Sequence, residues 1–253
     1  AERMFEDGGY VGGAVYNEDR SVSHTLTDDA SKLPALRSSK YLQSFTAQLF
    51  PDVKRLLEQG KQVLVCATPC QISGLYSYLG KDYDSLLTCD FICRGVNSPK
   101  VFQKYVEMLE RRYGARAAEI KFKDKTHGWH RFSLRVDFEN GKRYCQDRYH
   151  DPFFIGYLEL GNFARPSCYE CRFKGANRRA DISLADFWGI ENLDKSMDQD
   201  CGTSLVLLHT EKGREAFERI KSWIVCQPFS LKEALEENSA YFSRMKASNS
   251  IDR

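Results

Sequence analysis

A chain of 253 residues with 42% hydrophobic and 28% charged side chains has the composition of a soluble globular protein with a substantial core. Its formal net charge of +2 makes no case for nucleic acid or a membrane surface as partner. No apolar run approaches the roughly 18 residues of a membrane helix, and nothing near the N-terminus has the basic-then-apolar shape of a secretory signal.

Nine cysteines, at positions 66, 70, 89, 93, 145, 168, 171, 201 and 226, are an odd number and do not fall on a small disulfide scaffold. Thiolate ligands in a reducing, cytoplasmic compartment are the expected use. The chain starts at Ala1 and enters a strand pattern almost at once, which suggests a fragment with an upstream part.

Residues 8–16 read as a turn feeding a short strand, 17–20 as a hairpin turn and 22–26 as the returning strand. Residues 27–39, polar and broken by Pro34, read as loop. A helix over about 50–59 carries Val53, Leu56 and Leu57 at helical spacing. Residues 62–67 form a continuous apolar run of the buried parallel type; a turn at Thr68-Pro69-Cys70-Gln71 then opens a helix through Leu79. Residues 86–92 repeat the pattern, with Ser98 as N-cap and Pro99 at the first position of a long helix to about Tyr113. Strand, helix, strand, helix in that order predicts a right-handed parallel unit.

The middle of the chain reads differently. Residues 118–123 and 132–138 are strands, and Asn140-Gly141 is a hairpin turn into 142–145. Residues 151–160 read as helix, 180–184 and 204–209 as strands, and 211–224 as an amphipathic helix. A last helical stretch and a frayed polar tail follow Pro228. The expected fold class is α/β, a mixed sheet with a parallel βαβ core over about 8–115. An antiparallel lobe and a cluster-closing segment occupy about 116–253, all in one domain.

The candidate chemistry lies in the cysteines. Ligands of open α/β sheets bind outside the carboxyl ends of the strands, so Cys70 and Cys93, just past two parallel strands, should share one edge. There, at or near a helix N-terminus, a thiolate is favoured by the dipole and free N–H groups. Cys168-x-x-Cys171 supplies two more sulfurs, making four for one centre. Cys66 and Cys89 lie inside the strands and should face the core; Cys145, Cys201 and Cys226 show no partner pattern. The segment Lys40-Tyr-Leu-Gln43-Ser44 could meet an anionic ligand or be an ordinary solvated stretch. The loop from Phe122 to Trp129 suits a ligand-facing role. Asp181 and Asp186 flank a strand, where an Asp binds a sugar hydroxyl or caps a turn. Five scattered histidines point away from a histidine metal site.

Three stretches together carry a resemblance: Thr68-Pro-Cys70-Gln-Ile-Ser-Gly-Leu, Asp90-Phe-Ile-Cys93-Arg-Gly-Val-Asn-Ser-Pro-Lys100, and Arg165-Pro-Ser-Cys168-x-x-Cys171-x-Phe-Lys-Gly running on to Asp186-Phe-Trp-Gly189. With Ser39-Lys-Tyr-Leu-Gln-Ser44, they resemble the coenzyme F420 hydrogenase/dehydrogenase beta-subunit family, in its bacterial branch often found near polysaccharide gene clusters. The resemblance implies an iron–sulfur flavoprotein oxidoreductase. A 4Fe-4S cluster would sit on Cys70, Cys93, Cys168 and Cys171, near a non-covalent FAD. Lys40, Gln43 and Ser44 would contact that cofactor, with Thr68, Pro69 and Gln71 completing the expected set; no catalytic residue is singled out. The implied partners are a ferredoxin-type electron carrier or partner subunit and a small-molecule substrate, which a deazaflavin would satisfy.

Two departures bear on the flavin. The family's Ser-Ser-Gly-Gly segment and upstream ferredoxin domain are not in this sequence, and Arg94 stands where relatives commonly carry His. Two other readings use the same cysteines: a zinc-binding interaction module without redox activity, and a thiol enzyme with Cys70 as nucleophile.

Overall fold

The short apolar runs become strands of two sheets. A computed structural model describes residues 1–246, so the polar tail expected to fray lies largely outside the described residues. In chain order the strands are β1 (Tyr10–Tyr16), β2 (Val22–Thr27), β3 (Ser44–Phe45), β4 (Val63–Cys66), β5 (Leu86–Phe91), β6 (Ala117–Asp124), β7 (Ser133–Phe138), β8 (Arg143–Asp147), β9 (Ile182–Asp186) and β10 (Ser204–Leu208). Seven of them form one sheet in the order β10-β9-β5-β4-β1-β2-β3, and β6, β7 and β8 form a separate antiparallel sheet. The chain is therefore the mixed α/β protein that its sequence predicts.

Within the large sheet β1, β4, β5 and β9 run parallel, so their carboxyl ends share one edge. β9 and β10 come from the part of the chain assigned to the lobe and closing segment, yet they extend this sheet beside β5. The helix Pro69–Leu79 begins as read. Thr68 is its N-cap, Pro69 stands in the first turn, Gln71 completes a capping box, and Gly80 ends it at φ +71. Ser98 occupies the N-cap of the helix Pro99–Tyr113, but its hydroxyl makes no capping bond.

Several expectations are corrected. Residues 27–39 are not simply loop: a 3-10 turn at Ala30–Lys32 runs into a helix at Leu33–Leu36, with Pro34 in its first turn, where a missing N–H costs nothing. The stretch after Asp151 is helical as expected, but only Pro152–Phe154 is α-helix; it widens into a π-helix over Ile155–Glu159. The helix begun at Glu211 stops at Glu218. A short N-terminal helix, Glu2–Glu6, and the two-residue β3 carry no mark in the sequence pattern.

Three apolar clusters hold these pieces. Val53, Leu56, Val65, Ile72, Leu75 and Leu86 pack helices on one part of the large sheet. Phe102, Val106 and Leu109 of the helix Pro99–Tyr113 meet Phe122, Leu134, Val136 and Phe154, which joins the antiparallel sheet to the parallel unit. Trp129, Phe187, Ile190, Leu205 and Leu235 form the third cluster. No described helix is long and apolar enough to cross a membrane.

Candidate functional site

Three distant segments meet at the carboxyl edge of the large sheet, and their backbones are stitched together. After β5 the chain runs through Cys93 to Asn97, which pairs with Leu42 on one side and Ala164 on the other. The Gln43 N–H donates to the Asn97 carbonyl at 3.0 Å, and Arg165 N–H donates to the Val96 carbonyl at 2.9 Å. Asn97, fully buried, adds a side-chain bond from its Nδ2 to the Tyr41 carbonyl at 2.9 Å. This staple brings the 40–44 segment and the Cys-x-x-Cys segment to the end of β5.

Each cysteine of the expected four has its own environment. Cys70 is exposed in the first turn of the helix Pro69–Leu79, with its sulfur 3.1 Å from the Thr68 hydroxyl. Cys93 is not at a helix N-terminus, since the next helix starts only at Pro99. Nor is its thiol acidified as strand-end reasoning predicts. Burial pushes it up to about 12, opposed by a backbone hydrogen bond from Gly95 and the Lys174 ammonium, and reinforced by the charges of Cys70 and Cys168. Cys168 is raised by burial too, with the charges of Cys70 and Cys171 adding to it and a bond from the Val96 N–H opposing. Cys171 accepts the Phe173 N–H at 3.5 Å. The fold thus sets Cys93 and Cys168 each under the influence of Cys70, and Cys168 under that of Cys171.

Gly95 shows how close the approach is. At φ +135 it holds a backbone that L side chains rarely adopt, and an added Cβ would meet the Met245 methyl at 3.3 Å and Cys168 Cβ at 3.5 Å. Among the described residues no three cysteine sulfurs lie within 4.8 Å of one another. A closed tetrahedral zinc site, with Zn–S bonds of about 2.3 Å, would bring its sulfurs to about 3.8 Å. Four soft thiols, three of them with backbone N–H groups bearing on them, match the donor chemistry of an iron–sulfur cluster.

Three of the expected flavin contacts, Ser44, Thr68 and Gln71, are engaged with one another. Gln71 Oε1 accepts the Thr68 N–H at 3.1 Å, and Gln71 Nε2 donates to Ser44 Oγ at 2.9 Å. Ser44 in turn meets His24 Nδ1 at 2.9 Å, and His24 Nε2 lies 3.2 Å from the Cys66 carbonyl. A single hydrogen-bonded chain therefore runs from Cys66 through His24 to Cys70. Burial holds Lys40 down to about 8, opposed by the Cys66 thiol, and its ammonium is tied to the Arg37 and Ser38 carbonyls. Pro69 is buried, and Gln43 takes part through its backbone. Beside Ser44 opens a cleft of about 460 Å³ whose lining includes His24, Phe45, Gln48 and Arg55.

Other expectations resolve differently. Trp129 is fully buried, so the 122–129 loop does not offer it to a ligand; it stacks on Trp188 at 4.6 Å and donates from Nε1 to Asp186 at 3.1 Å. Lys123 reaches both oxygens of Asp186 at 2.5 Å, at the carboxyl end of β9 and therefore on the edge of the cysteines. Asp181 is a structural acceptor, taking the Thr88 N–H and hydroxyl at 2.8 Å and the Thr210 hydroxyl at 2.7 Å. Cys89 is buried as expected; Cys66, opposite it on β4, is only partly so. The sequence pointed away from histidine donors, yet His130, Glu191 and Asp198 offer ligand atoms within 4.8 Å of one another. Both Asp198 oxygens are already engaged, one by His130 and one by the Asp200 N–H. His24 and Asn97 were missed because neither sits in a motif; Lys174 stands inside Cys-x-Phe-Lys-Gly, three residues after Cys171, and that spacing was a usable sign.

A family model for the C terminus of the coenzyme F420 hydrogenase/dehydrogenase beta subunit matches residues 60–230. Among solved structures, a chain of the F420-reducing NiFe hydrogenase complex from Methanosarcina barkeri, in a xenon-derivatised form, is similar in fold. The match covers 94% of this chain and 78% of that chain, with a TM-score of 0.56 and 16% sequence identity. No curated protein matches the sequence.

Proposed function

Because the chain belongs to the coenzyme F420 hydrogenase/dehydrogenase beta-subunit family, a family of oxidoreductase subunits, we propose that it is an iron–sulfur flavoprotein. It relays electrons between a 4Fe-4S cluster, FAD and a reducible organic substrate or deazaflavin coenzyme. The observation that carries this reading is the convergence of thiols from three segments, with Cys70 and Cys168 acting on Cys93, and Cys70 and Cys171 acting on Cys168. Cys70, Cys93, Cys168 and Cys171 are the ligands. The cluster supplies one-electron transfer, and the flavin couples it to two-electron hydride chemistry.

The chain's own groups do the rest. Backbone N–H groups of Gly95, Val96 and Phe173 point at three of the sulfurs and stabilise their negative charge. Tyr157 donates to the Gly95 carbonyl at 3.2 Å, and with Met245 it closes the site on one side. Lys40, Gln43, Ser44, Thr68, Pro69 and Gln71 form the wall along which a flavin binds, with Ser44, Thr68 and Gln71 exchanging bonds that they now make among themselves. A ferredoxin-type carrier or a partner subunit supplies or accepts the electrons; the fold neighbour comes from a hydrogenase complex.

Anaerobic purification followed by absorption spectroscopy and metal analysis tests the proposal. The expected result is a brown protein with a broad visible band and about four irons per chain. A colourless protein with one zinc would sink it. Cys93→Ser is expected to abolish the visible band, and a normal spectrum in that variant would overturn the ligand assignment. Added FAD should remain bound through gel filtration.

A further inference from the structure

Lys174 occupies an unusual place for a cation. Its ammonium donates to the Cys93 carbonyl at 2.5 Å and to the Ala240 carbonyl at 2.9 Å. It thereby ties the Cys-x-x-Cys segment to the end of β5 and to the C-terminal part of the chain. Its partners are backbone carbonyls, and among the described residues no carboxylate pairs with it. Burial disfavours the ammonium most; the charges of Cys93, Cys171 and Cys168, in that order of size, favour it, and Arg178 opposes. Arg178, the nearby guanidinium, is committed to Asp90 in a pair whose side chains are each 1% exposed.

We propose that Lys174 sets the reduction potential of the centre held by these cysteines. The inference rests on the reading of that centre as a 4Fe-4S cluster. Reduction of such a cluster would add one electron, delivered by the ferredoxin-type carrier, and would make the centre and its four thiolates more negative by one charge, with no proton taken up. A positive charge held on the Cys93 carbonyl, where the charges of Cys93, Cys171 and Cys168 bear on it, lowers the energy of the reduced state more than that of the oxidised state. In a half-buried setting that attraction is screened far less than at the surface. The two carbonyl bonds keep the ammonium in place through both oxidation states. Lys174 is thus a tuning residue that acts through the ligands, not a ligand and not a catalytic group.

The test is a dye-equilibrated redox titration of anaerobically purified protein, followed in the visible band. In Lys174→Gln the amide can still donate to one of the carbonyls while the charge is lost. The expected result is a retained cluster whose reduction equilibrium is at least tenfold less favourable, about 59 mV more negative for a one-electron couple. Lys174→Arg keeps the charge and is expected to stay within about twofold of wild type, well under the one-electron tenfold step. A Lys174→Gln protein with full iron and an unchanged potential would overturn the inference and leave the cluster itself intact. If Lys174→Gln loses its iron, the arginine variant decides: full iron and wild-type potential uphold the role of charge, and loss of iron there too overturns it in favour of shape. A wild-type protein without iron would overturn both this inference and the function beneath it.

Discussion

His24 links the protein's stability to pH through one buried imidazole. Burial holds it down at about 4, with the Lys40 charge adding to that and the bond to the Cys66 carbonyl opposing. The neutral ring is the form that fits: Nε2–H donates to that carbonyl and Nδ1 accepts from Ser44. An unfolded histidine binds its proton near pH 6.5, so between that value and about 4 the unfolded chain holds more protons than the folded one. Stability then rises with pH across that window, and acidification from neutrality removes it progressively. The full contribution is on the order of 3 kcal/mol. Urea unfolding at a series of pH values should show this slope, and His24→Gln should flatten it; an equal slope in the variant would assign it to other groups. Nothing in the sequence marks His24, because its burial depends on β2 pairing in the large sheet.

At the scale of elements, the Asn97 staple decides whether the cysteines stay together. Replacing Asn97 by Ala removes the bond to the Tyr41 carbonyl but leaves the backbone pairing of residue 97 intact. The expected loss is about 1–2 kcal/mol, accompanied by faster removal of iron by a chelator. Unchanged chelation kinetics would mean that the backbone bonds alone hold the edge. Elements with strong local chemistry were readable from sequence: the helix Pro69–Leu79 has Thr68, Pro69 and Gly80 at its ends, and the hairpin after β7 has Asn140-Gly141. Elements set by their neighbours were not. β3 is too short to show alternation, and the helix read over 151–160 gives no sign within five residues that it widens to a π-helix at Ile155–Glu159. Pro34 reads as a break although it opens a helix.

Across the whole molecule, the buried pair Asp90–Arg178 at 3.1 Å joins β5 to the segment that leaves the Cys-x-x-Cys. Ser183 of β9 also donates to Asp90, and Arg178 donates to the Phe91 carbonyl at 3.2 Å. Burial raises the Asp90 carboxyl, although Arg178 and Ser183 both work against that. Removing one partner leaves a buried charge without compensation, so Arg178→Met is expected to cost about 3–5 kcal/mol. The double variant with Asp90→Asn should recover part of that loss in thermal unfolding; no recovery would show that Arg178 acts through other contacts. The shared edge of Cys70 and Cys93 was legible because both follow parallel strands, whose ends must lie together. The pairing of β9 with β5 was not, because parallel partners are chosen by long-range packing that leaves no local trace.

The position of β9 also fixes an order of events during synthesis. β4 and β5 emerge early, but β5 has no neighbour on its far side until residues 182–186 arrive. Meanwhile the helix Pro99–Tyr113 and the three-stranded sheet already have the means to form their shared core. For that interval β5 presents an open row of backbone donors and acceptors, the feature that recruits foreign strands. The last two of the proposed ligands, Cys168 and Cys171, leave the ribosome just before β9 closes that row. Loading of the proposed cluster and protection from aggregation would therefore fall due at almost the same moment of translation, and a nascent chain stalled before that point would be exposed on both counts.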